Sequence, residues 1–473
     1  MDKGGKFYGI DFGTTNTTMV CYDSNDDIKI SIGERMEVPL PSVVALNTKT
    51  GIVKVGFNVK NNIETLKNED YEIVLSIKTI LDDENKKWVV AGSEWTTIDV
   101  AAEIFKSLIK TSELEGVNPR DNNIVISVPV NFSASKKKCL EKAAIKAGLK
   151  IERYISEPTA AFFAHYEELK NYTRIVVFDW GGGTLDISAL KVKDGNVMEI
   201  CTDNLYKAGD IIDEELARKI YSKIVKSSAL NFNDYSSLSS KEHDSLKSKA
   251  EILKISFSNK NTESRTEIFT IHGKTEPVEC TYQDLCEVSN EVVNEAIEKL
   301  ANVISKAFGE TVDCILCVGG SSNLRLLRER LYKLYGDDKV YFPNKPEWDI
   351  ADGACTIAAS PSKNVCLLAD DVELGLSNGD YFKLLSKGQT VPCEESSVFV
   401  STIDCSEQAN FIFRIGSNEY QEVIPVLGGI DEVLKITAYV DKYSNLHINM
   451  ENQKTKECYS IFTYEKLDFS YTL

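Results

Sequence analysis

"YGIDFGTTNTT", Tyr8 to Thr18, sets a short apolar strand against Asp11 and follows it with Gly13, Thr14, Thr15 and Asn16. Small and hydroxyl residues are ordinary in a tight hairpin. They are also what a loop needs to wrap a phosphate in backbone amides and hydroxyls. Taken by itself, the stretch leaves both readings open. A second stretch, "RIVVFDWGGGTLDISAL" from Arg174 to Leu190, repeats the plan: an apolar strand, Asp179, a turn of Gly181, Gly182 and Gly183, then Thr184 and a second strand. Two such hairpins predict a duplicated domain whose halves each contribute one loop to a shared cleft. Consecutive glycines let amides approach phosphate oxygens with no Cβ in the way. Thr14, Thr15 and Thr184 add hydroxyl donors, whereas Asp11 and Asp179 repel an anion unless a hard divalent cation, most often magnesium, lies between.

Composition narrows the setting. A chain of 473 residues with 42% hydrophobic content is too long for one core and suits several domains of a globular protein. No run of about 18 apolar residues reads as a membrane span, and Met1 to Lys6 leads straight into a strand, so a cytoplasmic protein is expected. The net charge of −18, from 72 acidic and 54 basic residues, repels nucleic acid and anionic membranes. An anionic ligand must therefore be met by a locally built site. The 12 cysteines are scattered among apolar segments, as in a reducing compartment. Cys314 and Cys317 form one CxxC inside "VDCILCVGG", a buried-strand pattern with no second pair, so zinc is not expected there. "HGKT", His272 to Thr275, has the end of a P-loop but lacks its earlier glycine, Ile268 standing there, and reads as a turn between strands. No GxGxxG opens a helix after a strand, so a dinucleotide site has no support.

Between the hairpins, "NIVISVPVNFSASKKKCLEKAAIKAGLKIERYISEPTAAFFAH", Asn123 to His165, reads as a buried strand, a Pro-containing turn and a basic helix ending at Gly148. A short strand and a helix opened by Glu157 and Pro158 follow. Taken with "IDFGTTN", "FDWGGGTLDIS" and "CILCVGGSSNLRLLRERL", it resembles the ATPase domain of the 70-kDa heat-shock (DnaK-type) chaperones, from about residue 7 to 360. The resemblance implies an α/β, actin-like fold: a duplicated ATPase domain of two lobes around a cleft holding Mg-ATP or ADP.

Carried over by position, the resemblance makes Asp11 and Asp179 the carboxylates that hold Mg2+ through water, with Glu157 near the metal and the attacking water. Lys78 in "LSIKTIL" matches the lysine that positions that water, Thr184 the hydroxyl at the γ-phosphate, and Asp186 a further acid of the hydrolytic group. Gly13, Thr14, Thr15, Asn16, Gly181, Gly182 and Gly183 form the phosphate loops, and Gly209 in "KAGDIIDEEL" matches a glycine near the phosphates. Such a set suits phosphoryl transfer to water, which needs positioning and charge neutralisation more than covalent chemistry. Without the resemblance Lys78 reads as a solvated lysine. "KAEILKISFS" resembles the helix gripping adenosine through Glu251, Lys254 and Ser258, although their spacing alone also fits an exposed ion pair on a helix. Gly319, Gly320 and Ser321 match the turn under adenine. The family's arginine falls on Asn323, which removes a stacked cation and implies ATP binding weaker by at most about 1 to 2 kcal/mol.

"SPSKNVCLLADDVELGL", Ser360 to Leu376, resembles the family's apolar interdomain linker, with Leu368 and Ala369 intervening before Asp370. The boundaries read as an ATPase domain over 1–362, a linker over 363–370 and an all-β sandwich over 371–473. In that last stretch, "SSVFVSTID", "ANFIFRIGS" and "LKITAYVDKYSNLHINMEN" alternate apolar and polar between turns. It resembles a shortened peptide-binding domain, and no helical period follows its last strand, so the family's helical lid is not expected. Pro129 and Lys137 stand at the family's interdomain relay. Arg153 matches an arginine that J-domain cochaperones contact, though read alone it is a solvated arginine, and the neighbouring asparagine is Ser156. The implied function is a monomeric, ATP-hydrolysing chaperone, with extended or unfolded polypeptides as clients and a J-domain cochaperone and a nucleotide exchange factor as partners. The alternatives are a nucleotide-dependent adaptor for one specific partner and, less consistent with the motifs, a small-molecule kinase.

Overall fold

The computed structural model describes residues 5–120, 124–227, 234–360, 364–403 and 405–473. Met1 and Asn123, which open two segments read above, and Ser362 and Lys363, at the domain boundary, lie outside the described residues. The chain divides into two compact units: residues 1–130, 139–191 and 200–359 form the first, and 131–138, 192–199 and 360–473 the second.

In the first unit, the strand Lys6–Phe12 pairs antiparallel with Asn16–Asp23, Asp11 opposite Thr18. Its other edge runs parallel to Ile124–Val128, with Asp11 level with Ser127, and that strand runs parallel to Ile151–Ser156. The echo in the sequence is an echo in topology. Arg174–Trp180 pairs antiparallel with Leu185–Lys193, Asp179 opposite Asp186, and parallel with Cys314–Val318, which in turn pairs parallel with Val340–Tyr341. Strands covered on both faces read as unbroken apolar runs, and Ile124–Val128 and Cys314–Val318 are buried at every position. Burial pushes the Cys314 thiol up to about 12 and raises Cys317 as well, away from the thiolate that a metal needs. His272 and Gly273, both at positive φ, make the two-residue turn between Ser264–Ile271 and Lys274–Thr281.

Three helices begin at capping boxes: Thr97–Leu114 at Thr96 with Asp99, Ser240–Ser256 at Ser239 with Glu242, and Tyr282–Phe308 at Thr281 with Asp284. They are joined by Gly209–Ser227, Arg325–Tyr335, Asp349–Ala359 and the short Glu157–Ala164. Phe178 and Trp180 of the second sheet share one core with Ile212, Leu253 and Leu327 of the helices and with Phe257, just past the end of Ser240–Ser256. Arg153 is not the solvated arginine that its neighbours suggest: it is half-buried, and its guanidinium donates to the Ile357 carbonyl at 2.6 Å.

The register of the second sheet is fixed at its lower end by Asp313. Its carboxylate accepts from the Thr173 and Arg174 backbone amides at 3.1 and 2.9 Å, from the Thr173 hydroxyl at 2.9 Å and from the Arg174 guanidinium at 2.5 Å. The Arg174 hydrogen bond, with help from the others, holds the Asp313 carboxyl well below the usual carboxylate range. An acid depressed on folding contributes stability above its unfolded pKa and loses it as pH falls through the folded value. Asp313→Asn is therefore expected to cost about 1 to 2 kcal/mol at pH 7, allowing for partial exposure. The gap from wild type should begin to narrow below about pH 4 and go on narrowing as pH falls through the depressed folded value. Urea midpoints at both pH values check this, and a gap that widened in acid would contradict it.

In the second unit, Tyr381–Leu385, Val372–Gly375, Gln408–Ile415 and Asn418–Pro425 form one antiparallel sheet in that order. Cys393–Ser401, Val433–Val440, Leu446–Asn452 and Cys458–Tyr464 form another. Alternate residues of both sheets meet in a shared core that includes Leu374, Phe413, Ile436 and Ile448. Phe469–Thr472, which has no clear alternation, is nonetheless a strand. It pairs antiparallel with Cys366–Leu368 on one edge and with Asn196 to Met198 on the other. Within the same unit, Lys137 donates to the Tyr443 carbonyl at 2.9 Å.

Candidate functional site

The two hairpin turns face each other across the first unit. A Cβ on Gly182 would lie 2.6 Å from the Thr15 side chain and 2.9 Å from Asp210 Oδ1, so only glycine allows the two turns to meet this closely. The Gly181 amide closes its own turn on the Thr184 carbonyl at 2.9 Å, and the Asp210 amide anchors the start of a helix to the Gly182 carbonyl at 2.8 Å. Between the turns lies a cavity of about 100 Å³. Its walls bring together Asp11, Gly13, Thr14, Thr15, Asn16, Lys78, Glu157, Asp179, Gly181, Gly182, Gly183, Thr184, Asp186, Gly319 and Gly320. Pro129 lines it as well.

The floor is an acidic cluster around one lysine. Glu157 opens its helix where Ser156 accepts from the Thr159 amide, so the carboxylate lies at a positive helix end. Lys78, on the 3-10 turn Ile77–Ile80, is 5% exposed, and its ammonium lies 2.5 Å from Glu157 Oε1. It is not the solvated lysine that its neighbours suggest. Burial works to lower its pKa, but Glu157 and Asp11 override this and hold it above the ordinary lysine value. Burial, reinforced by Glu157, pushes Asp11 up to about 6 even though Lys78 and a 2.8 Å hydrogen bond from Ser127 oppose the rise. Asp186 is likewise pushed up to about 6, and Asp179 well above its ordinary value, each by burial first and then by Glu157. Among the described residues, no three His, Cys, Asp or Glu side chains converge closely enough to hold a metal by themselves. The cavity thus offers all-oxygen acids, mutually repelling, with space for water and phosphate oxygens to complete a hard cation's shell.

A second, adjoining cavity of about 360 Å³ shares Thr15, Asn16, Gly181, Gly182 and Gly320 with the first. It adds Glu251, Lys254, Ser258, Ser321 and Asn323. That volume falls within the range of small-molecule sites. Gly209 lines neither cavity. It packs beneath, where a Cβ would lie 2.4 Å from Ser321 Oγ and 3.1 Å from Lys254 Nζ. Nor do Glu251 and Lys254 form an exposed pair. Lys254 is buried and donates to Asp213 at 2.7 Å and to the Gly209 carbonyl at 3.1 Å. Glu251 instead accepts from Lys60 at 2.7 Å. Burial disfavours both of those charges, yet their pairing wins, holding Lys60 above and Glu251 below their usual values.

Sequence reasoning passed over Lys60, Asp210, Asp213, Ser127 and Glu347, which also line or support these cavities. "GDIIDEEL" carried one usable signal, since Asp210 and Asp213 fall one turn apart just after a matched glycine. Lys60 carried none, because its partner lies far along the chain.

No helix among the described residues is long and apolar enough to cross a membrane. Compared with known families, residues 7–424 match the model for Hsp70 protein. The chain is similar to the chaperone protein DnaK of Ureaplasma urealyticum serovar 10, with 28% identity over 96% of this chain and 78% of that protein. It is similar also to the chaperone protein dnaK of Guillardia theta, with 24% identity over 97% of this chain and 79% of that protein. A match that begins in the first strand and runs through both facing turns into the second unit makes the chain a member of the Hsp70 family.

Proposed function

We propose that the protein is an ATP-dependent chaperone. In this reading its first unit is an actin-like pair of lobes that binds and slowly hydrolyses ATP, and its second is a β-sandwich that takes extended polypeptide segments. Residues 1–362 would form the nucleotide domain, 363–370 the linker and 371–473 the peptide domain. The observation that carries the reading is the facing pair of turns above a floor of Lys78, Glu157, Asp11, Asp179 and Asp186. Thr14, Thr15 and Thr184 and the glycine amides would bind phosphate oxygens. Lys78 would hold charge at the γ-phosphate, and Glu157 would orient the attacking water. Asp11, Asp179 and Glu157 would hold magnesium through water, and the metal when bound neutralises phosphate charge.

Support for the peptide side lies in the second unit. Thr402 donates to the Gly429 carbonyl at 2.5 Å and accepts from the Glu432 amide at 2.9 Å, tying two loops together. The tied loops leave Ile403, Leu427 and Ile430 more than half exposed, the kind of apolar display that marks an interaction site. J-domain cochaperones and an exchange factor would be the regulators. The test is the magnesium-dependent ATP hydrolysis rate with and without a panel of unrelated extended apolar peptides, with Lys78→Ala as blank. Stimulation by several peptides is expected. A Lys78-dependent rate that ignores all of them would favour an adaptor for one specific partner.

A further inference from the structure

Among the described residues, the cations that line the larger cavity are Lys60 and Lys254. Lys60 is spent on Glu251 and Lys254 on Asp213, each at 2.7 Å. Ser258 and Asn323 also line the cavity, together with Ile255 and Leu324, and both carry neutral polar side chains. The amide cannot turn either way. Arg328, one turn into the following helix, donates to Asn323 Oδ1 at 2.6 Å, and its guanidinium lies 4.5 Å from the Phe342 ring centroid. Arginine donates only, so it fixes the oxygen of Asn323 toward itself and leaves the NH2 group as the end available to a ligand. Asn323 Nδ2 has no acceptor among the described residues.

Resting on the nucleotide reading above, we infer that Asn323, held by Arg328, is a base-recognition residue. It presents a fixed N–H donor that selects a ring-nitrogen acceptor on the purine edge, in place of recognition by a stacked cation. Adenine carries such acceptors at N1, N3 and N7, each of which is lost singly in the corresponding deaza analogue. Arg328 is then a positioning residue, and a merely structural Asn323 would show no dependence on which base nitrogen is present.

The experiment is calorimetric titration of the full chain, with magnesium, by ADP and by its 1-deaza, 3-deaza and 7-deaza analogues. In the wild type one analogue is expected to bind about three- to tenfold more weakly than ADP, the value of one neutral hydrogen bond, and the other two like ADP. Asn323→Asp keeps the shape and the Arg328 contact but removes the donor. It should weaken ADP by at least the same factor and erase the difference among analogues. If that variant does not fold, Arg328→Met, which frees the amide to turn, should shrink the penalty while ADP still binds. Equal binding of all four ligands by wild type, or a penalty that persists in the variant, would overturn the inference while the nucleotide reading stands. Failure of wild type to bind ADP at all would overturn both.

Discussion

Lys78→Ala is expected to lower the rate of ATP hydrolysis by at least about a hundredfold while changing the affinity for ATP by less than about tenfold. The first magnitude is that of removing one pre-positioned charge from the reacting end of a water-poor cleft. The second follows because, in the proposed reading, the phosphates would have many other partners among the amides and hydroxyls of the two turns that line the cavity. Lys78 is buried 2.5 Å from Glu157 and close enough to Asp11 to influence its charge. Without the ammonium, Glu157, Asp11, Asp179 and Asp186 face one another with no other lysine or arginine among the described residues that line the cavity, so the ligand-free variant should also melt at a lower temperature. Lys78→Arg is not expected to rescue turnover, because a planar fork cannot replace a compact ammonium at 2.5 Å. Single-turnover hydrolysis, read beside a direct titration with ATP, separates the two effects. Turnover at the wild-type rate would remove Lys78 from the mechanism, and loss of binding with it would recast the residue as a phosphate ligand.

How much of this was legible in the sequence differs from element to element for physical reasons. The two hairpins could be read because a turn that approaches a ligand needs glycine and hydroxyl residues, and their repetition was visible at a glance. The helices at Ser240–Ser256 and Tyr282–Phe308 begin at capping boxes, a signal local in sequence that sequence reasoning passed over. Lys78 was not legible from its neighbours. A short 3-10 turn has no amphipathic period, and the residue entered only through the family resemblance. The pairing of Lys60 with Glu251, and of Lys254 with Asp213, was hidden for the opposite reason. Helical spacing offers Glu251 and Lys254 to each other, but each finds a partner on another element, 191 and 41 residues away. Phe469–Thr472 was missed because a four-residue strand held by backbone pairs on both edges needs no pattern of its own.

Gly353→Ala is expected to cost more than about 3 kcal/mol, a large share of a typical domain's stability, although it adds a single methyl group. Gly353 lies in the helix Asp349–Ala359, and a Cβ there would come within 1.7 Å of the Ala160 carbonyl oxygen and 2.4 Å of its carbonyl carbon. Backbone cannot swing aside as a long side chain can, so the two helices must separate, and a close-packed interior loses contacts along the whole seam when they do. Separation would also move Glu157, which opens the helix that carries Ala160, relative to Lys78. Residual folded protein should therefore hydrolyse ATP poorly as well. Gly320→Ala provides the contrast, since a Cβ there meets nothing within 4 Å and the residue does not require a left-handed backbone. That variant should melt within a degree or two of wild type, yet bind nucleotide more weakly, because its methyl would enter the cavities proposed for the nucleotide. Denaturant midpoints and nucleotide titrations of both variants check the pair. A Gly353→Ala protein as stable as wild type would mean that the helices do not pack backbone to backbone, and that Glu157 is positioned by something other than this seam.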